Sequence, residues 1–390
     1  MKRNKRLVAW FTSLVLTLSF VLPANVLSAY ADETKESVNV ETTENLSTEP
    51  TAEPAADENV KIQVLATTDL HGKFLNYDYA TMSSSHGGLN QVATIVKNEM
   101  NSNPNTIVVD NGDTIQGNYN HLFLTDEFLK DNINPMVYAM NKIGYTSFTL
   151  GNHEFNYGMN TLNKIAEQAK AGGTAVLCAN LYKDGARVFE PYTIETVGGV
   201  RVAIIGVVTN HITRWDADKL EGYTPTNPAE EVQKVMTEIK DKADVFVVTS
   251  HMGLTSEYGD GDSATDIANL NPEVDVIIAG HSHSEIKQDI VNGVLITQPK
   301  NNGQGVSKAV IELEKTEAGV KIVNKSSSVI AIDKNNLVDE DATLTSELKK
   351  YDDIARADAL KVIGKLDGEN LSEADRKSTR LNSSHLGISY

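Results

Sequence analysis

Five short apolar runs punctuate the chain, and each ends in polar residues of one chemical kind. Val64-Leu65-Ala66-Thr67-Thr68 runs into Asp69-Leu70-His71, and Ile107-Val108-Val109 into Asp110-Asn111-Gly112-Asp113. Phe148-Thr149-Leu150 runs into Gly151-Asn152-His153-Glu154, and Val245-Phe246-Val247-Val248 into Thr249-Ser250-His251. Val276-Ile277-Ile278-Ala279 runs into Gly280-His281-Ser282-His283. Runs of this length and composition predict buried strands. Between them the apolar spacing becomes helical. Leu89, Val92, Val96 and Met100 share one face; Met159, Leu162, Ile165, Ala166 and Ala169 share another; Val232, Val235, Met236 and Ile239 share a third. The third opens with Asn227 as cap, Pro228 at the first turn and Glu230 three residues after the cap. Further strands are predicted at 175–178, 192–197, 200–208, 294–298 and 308–314, with Gly198-Gly199 as a hairpin turn. Leu344, Leu348, Tyr351 and Ile354 mark a last helical stripe. Strand–helix alternation predicts an α/β fold, and no internal repeat interrupts it. In such sheets ligands gather beyond the carboxyl ends of the strands, so the five polar clusters can converge.

The two ends of the chain have a different character. Lys2, Arg3, Lys5 and Arg6 precede an apolar run over 7–22, and Ala29-Tyr30-Ala31 offers a small-x-small cleavage site. Residues 1–31 are therefore predicted to be a signal peptide, cleaved after Ala31. The mature protein would be exported, secreted or held at the cell surface, with no stable membrane span. Residues 32–59 hold nine Asp/Glu against one Lys, and only Val38, Val40 and Leu46 as large aliphatics; a disordered acidic spacer is expected. Residues 334–376 are expected to form a helical linker. The tail Lys-Ser-Thr-Arg-Leu-Asn-Ser-Ser-His-Leu-Gly-Ile-Ser-Tyr (377–390) has no period and resembles translated sequencing-adaptor sequence, so a natural chain is expected to continue beyond about Arg376.

With 390 residues, 40% of them apolar, the chain can bury a sizeable core. A net charge of −18 argues against a nucleic-acid polymer or an anionic membrane surface as partner. A small polyanionic substrate stays possible, because bound cations invert the local sign. Cys178 is the single cysteine, which rules out an intrachain disulfide, and its apolar run predicts a buried residue.

Carboxylates and neutral imidazoles together suit Zn, Mn or Fe better than Mg or Ca. Two such ions about 3.5–4 Å apart share a carboxylate, acidify a water and clamp a phosphoryl group. Each cluster alone is ordinary, since Gly-Asp after a strand is usually a turn. Together they take five of the nine histidines. The other four (His86, His121, His211 and His385) have no such context and are expected to be surface or core residues. In an extended segment alternate side chains share a face, so Asp69/His71 and His281/His283 can each aim two donors one way. Whether each pair serves one ion or two stays open.

The order Asp-x-His, Gly-Asp, Gly-Asn-His-Glu, His, Gly-His-x-His resembles the calcineurin-like metallophosphoesterases, over about Val60 to about Glu314. Thr-Thr-Asp-Leu-His (67–71), Asp-Asn-Gly-Asp-Thr-Ile-Gln-Gly (110–117) and Gly-Asn-His-Glu-Phe-Asn-Tyr-Gly (151–158) resemble their secreted 5′-nucleotidase and 2′,3′-cyclic-nucleotide 2′-phosphodiesterase branch. The resemblance implies two mixed β-sheets sandwiched between helical layers. It makes 60–333 the catalytic domain, and it makes 334–376 a link toward a C-terminal nucleotidase domain that this chain lacks. It implies two divalent ions: Asp69, His71 and His283 on the first, Asp113 bridging, and Asn152, His251 and His281 on the second. His153 would be the catalytic group.

Many 5′-nucleotidases carry Asp where this chain has Asn156, and several carry Gln where it has His283. The resemblance therefore favours an exported 2′,3′-cyclic-nucleotide 2′-phosphodiesterase/3′-nucleotidase. A 5′-nucleotidase or nucleotide-sugar hydrolase is the alternative, and a non-catalytic surface protein that keeps the metal fold is a third. Asn118, Asn301 and Asn302 are expected to hold phosphate or shape the pocket rim. Tyr77, Tyr79 and Tyr119 lie near ligands in sequence, and packing is expected of them ahead of base stacking.

Overall fold

A computed structural model describes residues 58–363, except 318. The expected signal peptide, the spacer up to 57, the link beyond 363 and the 377–390 tail lie outside the described residues. Twelve strands build two six-stranded sheets. In chain order they are β1 (Glu58–Thr67), β2 (Thr106–Asp110), β3 (Ser147–Thr149), β4 (Ala175–Leu177), β5 (Tyr192–Val197), β6 (Val200–Val208), β7 (Val245–His251), β8 (Val276–Ile278), β9 (Ile286–Val291), β10 (Val294–Gln298), β11 (Gly305–Thr316) and β12 (Gly319–Ala331). β1 thus opens at Glu58, inside the stretch expected to be spacer.

The first sheet runs β12-β11-β1-β2-β3-β4 and the second β9-β10-β8-β7-β6-β5. Both are mixed. β1 to β4 are parallel, as are β10, β8, β7 and β6, with antiparallel strands at the margins.

Period-two alternation sorts the apolar side chains into layers. Val60, Ile62, Val64 and Ala66 of β1 meet Val202, Ile204, Val245 and Val247 of the second sheet in a core between the sheets. Leu65, Val108, Phe148 and Val176 point the other way, onto helices Leu89–Ser102, Pro135–Ile143, Gly158–Ala171 and Ala342–Ala359. Ile205, Val207, Val248 and Ile277 do the same in the second sheet, under helices Pro228–Ile239 and Ala264–Leu270. The architecture is the expected one, two mixed sheets between helical layers. Asn227 caps its helix as expected: its side chain accepts from the Glu230 N–H at 3.2 Å, with Pro228 in the first turn.

Some local expectations shift. Helix Ala342–Ala359 buries Leu344, Leu348, Tyr351 and Ala355, while Ile354 is 45% exposed. The true stripe continues by four residues from Tyr351, and Ile354 falls off its edge. Met100, expected on a buried face, is likewise 37% exposed, near the helix end. Tyr351 packs against Phe74 and Phe123, and its hydroxyl donates to the Ile133 carbonyl at 3.0 Å. Tyr79 is buried beside Phe74 and donates to Asp352 at 2.9 Å, with Tyr77 and Tyr119 against its ring. These tyrosines are packing residues. Cys178 is also buried, and burial pushes its thiol up to about 12.

Candidate metal centre

The carboxyl ends of five parallel strands meet at one edge of the sandwich. β1 delivers Asp69 and His71, β2 delivers Asp113, β3 delivers Asn152, β7 ends in His251, and β8 leads to His281 and His283. The two sheets are tied together beside this edge. Thr149 Oγ and Thr249 Oγ lie 2.6 Å apart, and Asn111 Nδ2 donates to the Ser250 carbonyl at 3.0 Å. His251 Nδ1 lies 2.6 Å from the Asn111 carbonyl, which fixes its proton there and leaves Nε2 a lone pair when the ring is neutral.

The seven expected ligands gather into two groups. Asp69, His71 and His283 offer donor atoms within 4.8 Å of one another, and so do Asp113, His251 and His281. Asn152 joins the second group, its Oδ1 2.8 Å from His281 Nδ1. Asp69 and Asp113 both face His251, at 3.9 and 3.1 Å from Nε2, which brings the two groups side by side. Asp69 and His71 fall in one group, whereas His281 and His283 divide between the two.

The extended geometry expected for these pairs is not how they are aimed. β1 stops at Thr67 and β8 at Ile278. Asp69, His71, Asp113, His281 and His283 all take left-handed backbone, at φ of 52°, 47°, 54°, 64° and 53°. Non-glycine residues there cost about 1 kcal/mol each, and such strain concentrates at functional sites. Glycines make the close packing possible. A Cβ on Gly151 would strike the Asp113 carboxylate, and one on Gly112 would strike the Gly151 backbone.

One side chain that the sequence motif contains but assigns no role holds the loops together. Glu154, fully buried, accepts from the backbone N–H groups of Asp113, Thr114, Ile115 and Gly151 at 2.8, 2.7, 3.2 and 2.7 Å. The loops after β2 and β3 therefore share one carboxylate. Burial and the Asp113 charge push its pKa up, against those amides.

The donor set fits divalent cations. Asp69 Oδ1 and His251 Nε2 are buried and make no hydrogen bond of good geometry; groups of this kind demand an explanation such as an ion. His71 pairs Nδ1 with Gln116 Oε1 at 3.1 Å, which leaves Nε2 a lone pair facing His283 Nε2 at 3.0 Å. Burial alone would raise Asp69 and Asp113, but His283, 3.3 Å away, and the charge of His251 hold Asp69 low, and the charge of His251 holds Asp113 low. Burial alone would lower His251, but Asp113 and Asp69 raise it to about 10. The close approach of Asp69 raises His283, while burial keeps His71 and His281 low.

Such a raised histidine stabilises the metal-free fold fully below its unfolded value of 6.5, and loses that contribution as the pH climbs through about 10. A ligating imidazole must be neutral. Metal uptake at about pH 8 is therefore expected to release a proton from His251, read calorimetrically as a dependence of the binding heat on buffer ionisation. Heat independent of the buffer would count against His251 as a ligand.

The remaining expected residues divide. Asn301 Nδ2 lies 3.3 Å from His283 Nδ1, at the rim of the first group. Asn302 holds the centre through its backbone, donating N–H to the Asp69 carbonyl at 2.8 Å. Among the described contacts, Asn118 reaches the Tyr77 carbonyl at 3.1 Å rather than either group. His153 is half-buried, its ring 5.5 Å from that of His71, and its N–H donates to Asp113 Oδ1 at 2.7 Å. Its Nδ1 lies 2.7 Å from Asn156 Oδ1, and Asn156 Nδ2 donates to Asp216 at 2.8 Å.

A wall unforeseen in the sequence closes the second group. Trp215 and Tyr258 stand 5.9 and 6.2 Å from the His281 ring, and Glu257 Oε2 is 3.6 Å from His281 Nε2. His211 packs on Tyr258 and so belongs to this wall. His385 lies outside the described residues. Only nearness to His251 in sequence could have flagged Glu257 and Tyr258; nothing flags Trp215.

Residues 62–285 match the profile of the calcineurin-like phosphoesterases. The chain belongs to that family, whose members hydrolyse phosphoric esters, normally with a dinuclear metal site. It is 28% identical over 352 residues to the trifunctional nucleotide phosphoesterase YfkN of Bacillus subtilis, covering 82% of this chain and 24% of that protein. It is 31% identical over 342 residues to a 2′,3′-cyclic-nucleotide 2′-phosphodiesterase/3′-nucleotidase of Haemophilus influenzae, covering 79% of this chain and 51% of that one. The chain thus spans between a quarter and a half of these relatives' length. The crystal structure of calcineurin-like phosphoesterase YfkN from Bacillus subtilis superposes with a TM-score of 0.72 at 27% identity, over 78% of this chain and all of that one.

Proposed function

We propose that this chain is the catalytic part of an exported nucleotide phosphohydrolase, one that opens 2′,3′-cyclic nucleotides at the 2′ oxygen and then removes the 3′ phosphate. The observation that carries the reading is the side-by-side pair of donor groups, two carboxylates and four imidazoles, at the strand ends. Asp69, His71 and His283 would hold the first ion, Asp113 would be shared, and Asn152, His251 and His281 would hold the second. Two such ions, of Zn, Mn or Fe type, would supply Lewis acidity and charge neutralisation for attack at phosphorus. The chain's own groups do the positioning. Glu154 keeps the Asp113 and Asn152 loops in register, and Asn302 keeps the Asp69 loop in place. His153, tethered by its backbone to Asp113, presents its ring beside the first group, where it can serve the leaving oxygen. The predicted signal peptide supports export. Among the described residues no helix is long and apolar enough to cross a membrane.

The cyclic substrate is favoured by Asn156 and His283 and by the activity for which the Haemophilus relative is named. The test is a panel of 2′,3′-cyclic AMP, 3′-AMP, 5′-AMP and p-nitrophenyl phosphate with the metal-loaded chain. Opening of the cyclic ester to 3′-AMP, followed by adenosine, is the expected result. A preference for 5′-AMP selects the 5′-nucleotidase alternative, and a metal-loaded chain that turns over none of the four is a non-catalytic protein.

A further inference from the structure

The relay behind His153 ends in a residue that no motif contains. Asp216 sits at the end of the short helix Thr213–Asp216, 60 residues beyond Asn156, and is 2% exposed. One of its oxygens accepts from Asn156 Nδ2 at 2.8 Å, the other from Lys219 Nζ at 2.9 Å. A carboxylate can only accept, so the Asn156 amide must turn Nδ2 toward Asp216. That leaves Oδ1, an acceptor, for His153 Nδ1 at 2.7 Å. His153 Nδ1 must then carry a hydrogen, which leaves Nε2 as the nitrogen that brings a second proton to the leaving oxygen. Without the carboxylate the amide could rotate and offer Nδ2 instead, and the imidazole would take either tautomer.

We propose that Asp216 is a positioning residue, which orients Asn156 and through it holds His153 in the tautomer and ring direction that turn Nε2 to the phosphoryl group. The inference rests on His153 serving that group, as argued above. It also gives Asn156 a reason. A carboxylate at 156 would add negative charge near Asp113 and Asp69, whereas at 216 the same charge lies one hydrogen bond further out and is paired with Lys219.

The test reads the tautomer directly, by nitrogen NMR of histidine-labelled protein, both metal-free and metal-loaded. In the intact chain a neutral His153 ring is expected to carry its hydrogen on Nδ1 alone. Asp216→Asn is expected to give a mixture and to lower kcat about ten- to a hundredfold with KM little changed. Because Asp216 is buried and ion-paired, Asn156→Ala serves as a second variant: it leaves the Lys219 pair intact and is expected to give the same mixture. The Asp216→Asn/Asn156→Asp double variant puts a carboxylate directly on Nδ1–H and is expected to restore the single tautomer and much of kcat. A single Nδ1–H tautomer in both single variants, or a loss that tracks metal content instead of kcat, overturns the proposal. The tautomer is read without substrate, so this outcome is separate from whether nucleotides are hydrolysed.

Discussion

Asp113→Asn is expected to abolish turnover and to lower metal content from about two ions per chain to about one or fewer. The substitution is nearly isosteric and keeps an acceptor for the His153 N–H, now met at 2.7 Å, so the loop should stay folded. What it removes is charge. Asp113 is the carboxylate nearest His251, at 3.1 Å, and it lies between the two donor groups. Without it His251 loses the main partner that raises it to about 10, and a shared ligand for both ions is gone. A loss of at least about 10³-fold in kcat is expected if one principal source of transition-state charge stabilisation disappears. The check is elemental analysis beside a p-nitrophenyl phosphate assay. Full metal content with unchanged activity would sink the assigned centre.

Glu154→Gln is expected to be the most destabilising single-atom change near the site. Its carboxylate accepts from four buried backbone donors on two loops. Glutamine offers one accepting oxygen and turns its amide N–H₂ against backbone N–H groups. Leaving such donors buried and unpaired costs about 3 kcal/mol, which for a domain of this size lowers Tm by about 5 °C. The same slippage moves Asp113 against Asn152, so metal affinity should weaken about ten- to a hundredfold. Differential scanning calorimetry with a metal titration tests both. A Tm within about a degree of the parent, with unchanged affinity, would show that the amides find other acceptors.

Much of this site was legible because its strands are fully buried and announce themselves. β2, β7 and β8 are continuous aliphatic runs, and their polar ends lie where an α/β sheet gathers ligands. The strands that escaped notice are marginal ones. β12 has no buried residue along its length, and β9 alternates only between half-buried and exposed, so neither carries a clean apolar period. Helix Pro135–Ile143 is absent from the sequence expectations, although Asn134 caps it through the Met136 N–H and proline opens it. The aim of the ligands was illegible for another reason. A two-residue spacing suggests extended chain, but Asp69/His71 and His281/His283 are turned by left-handed backbone that no periodicity records. The relay through Asn156 to Asp216 and the clamp at Glu154 depend on partners brought close only by folding.

The five left-handed ligand positions also bound how far the protein can be improved. Glycine at any of them would relax the backbone but delete the donor, and no substitution keeps both the side chain and an easy conformation. Stabilising changes must come from elsewhere, such as the exposed apolar residues Leu337 and Ile290. Heat tolerance can thus be raised only away from these five positions, where an easy backbone is given up for the donors it aims.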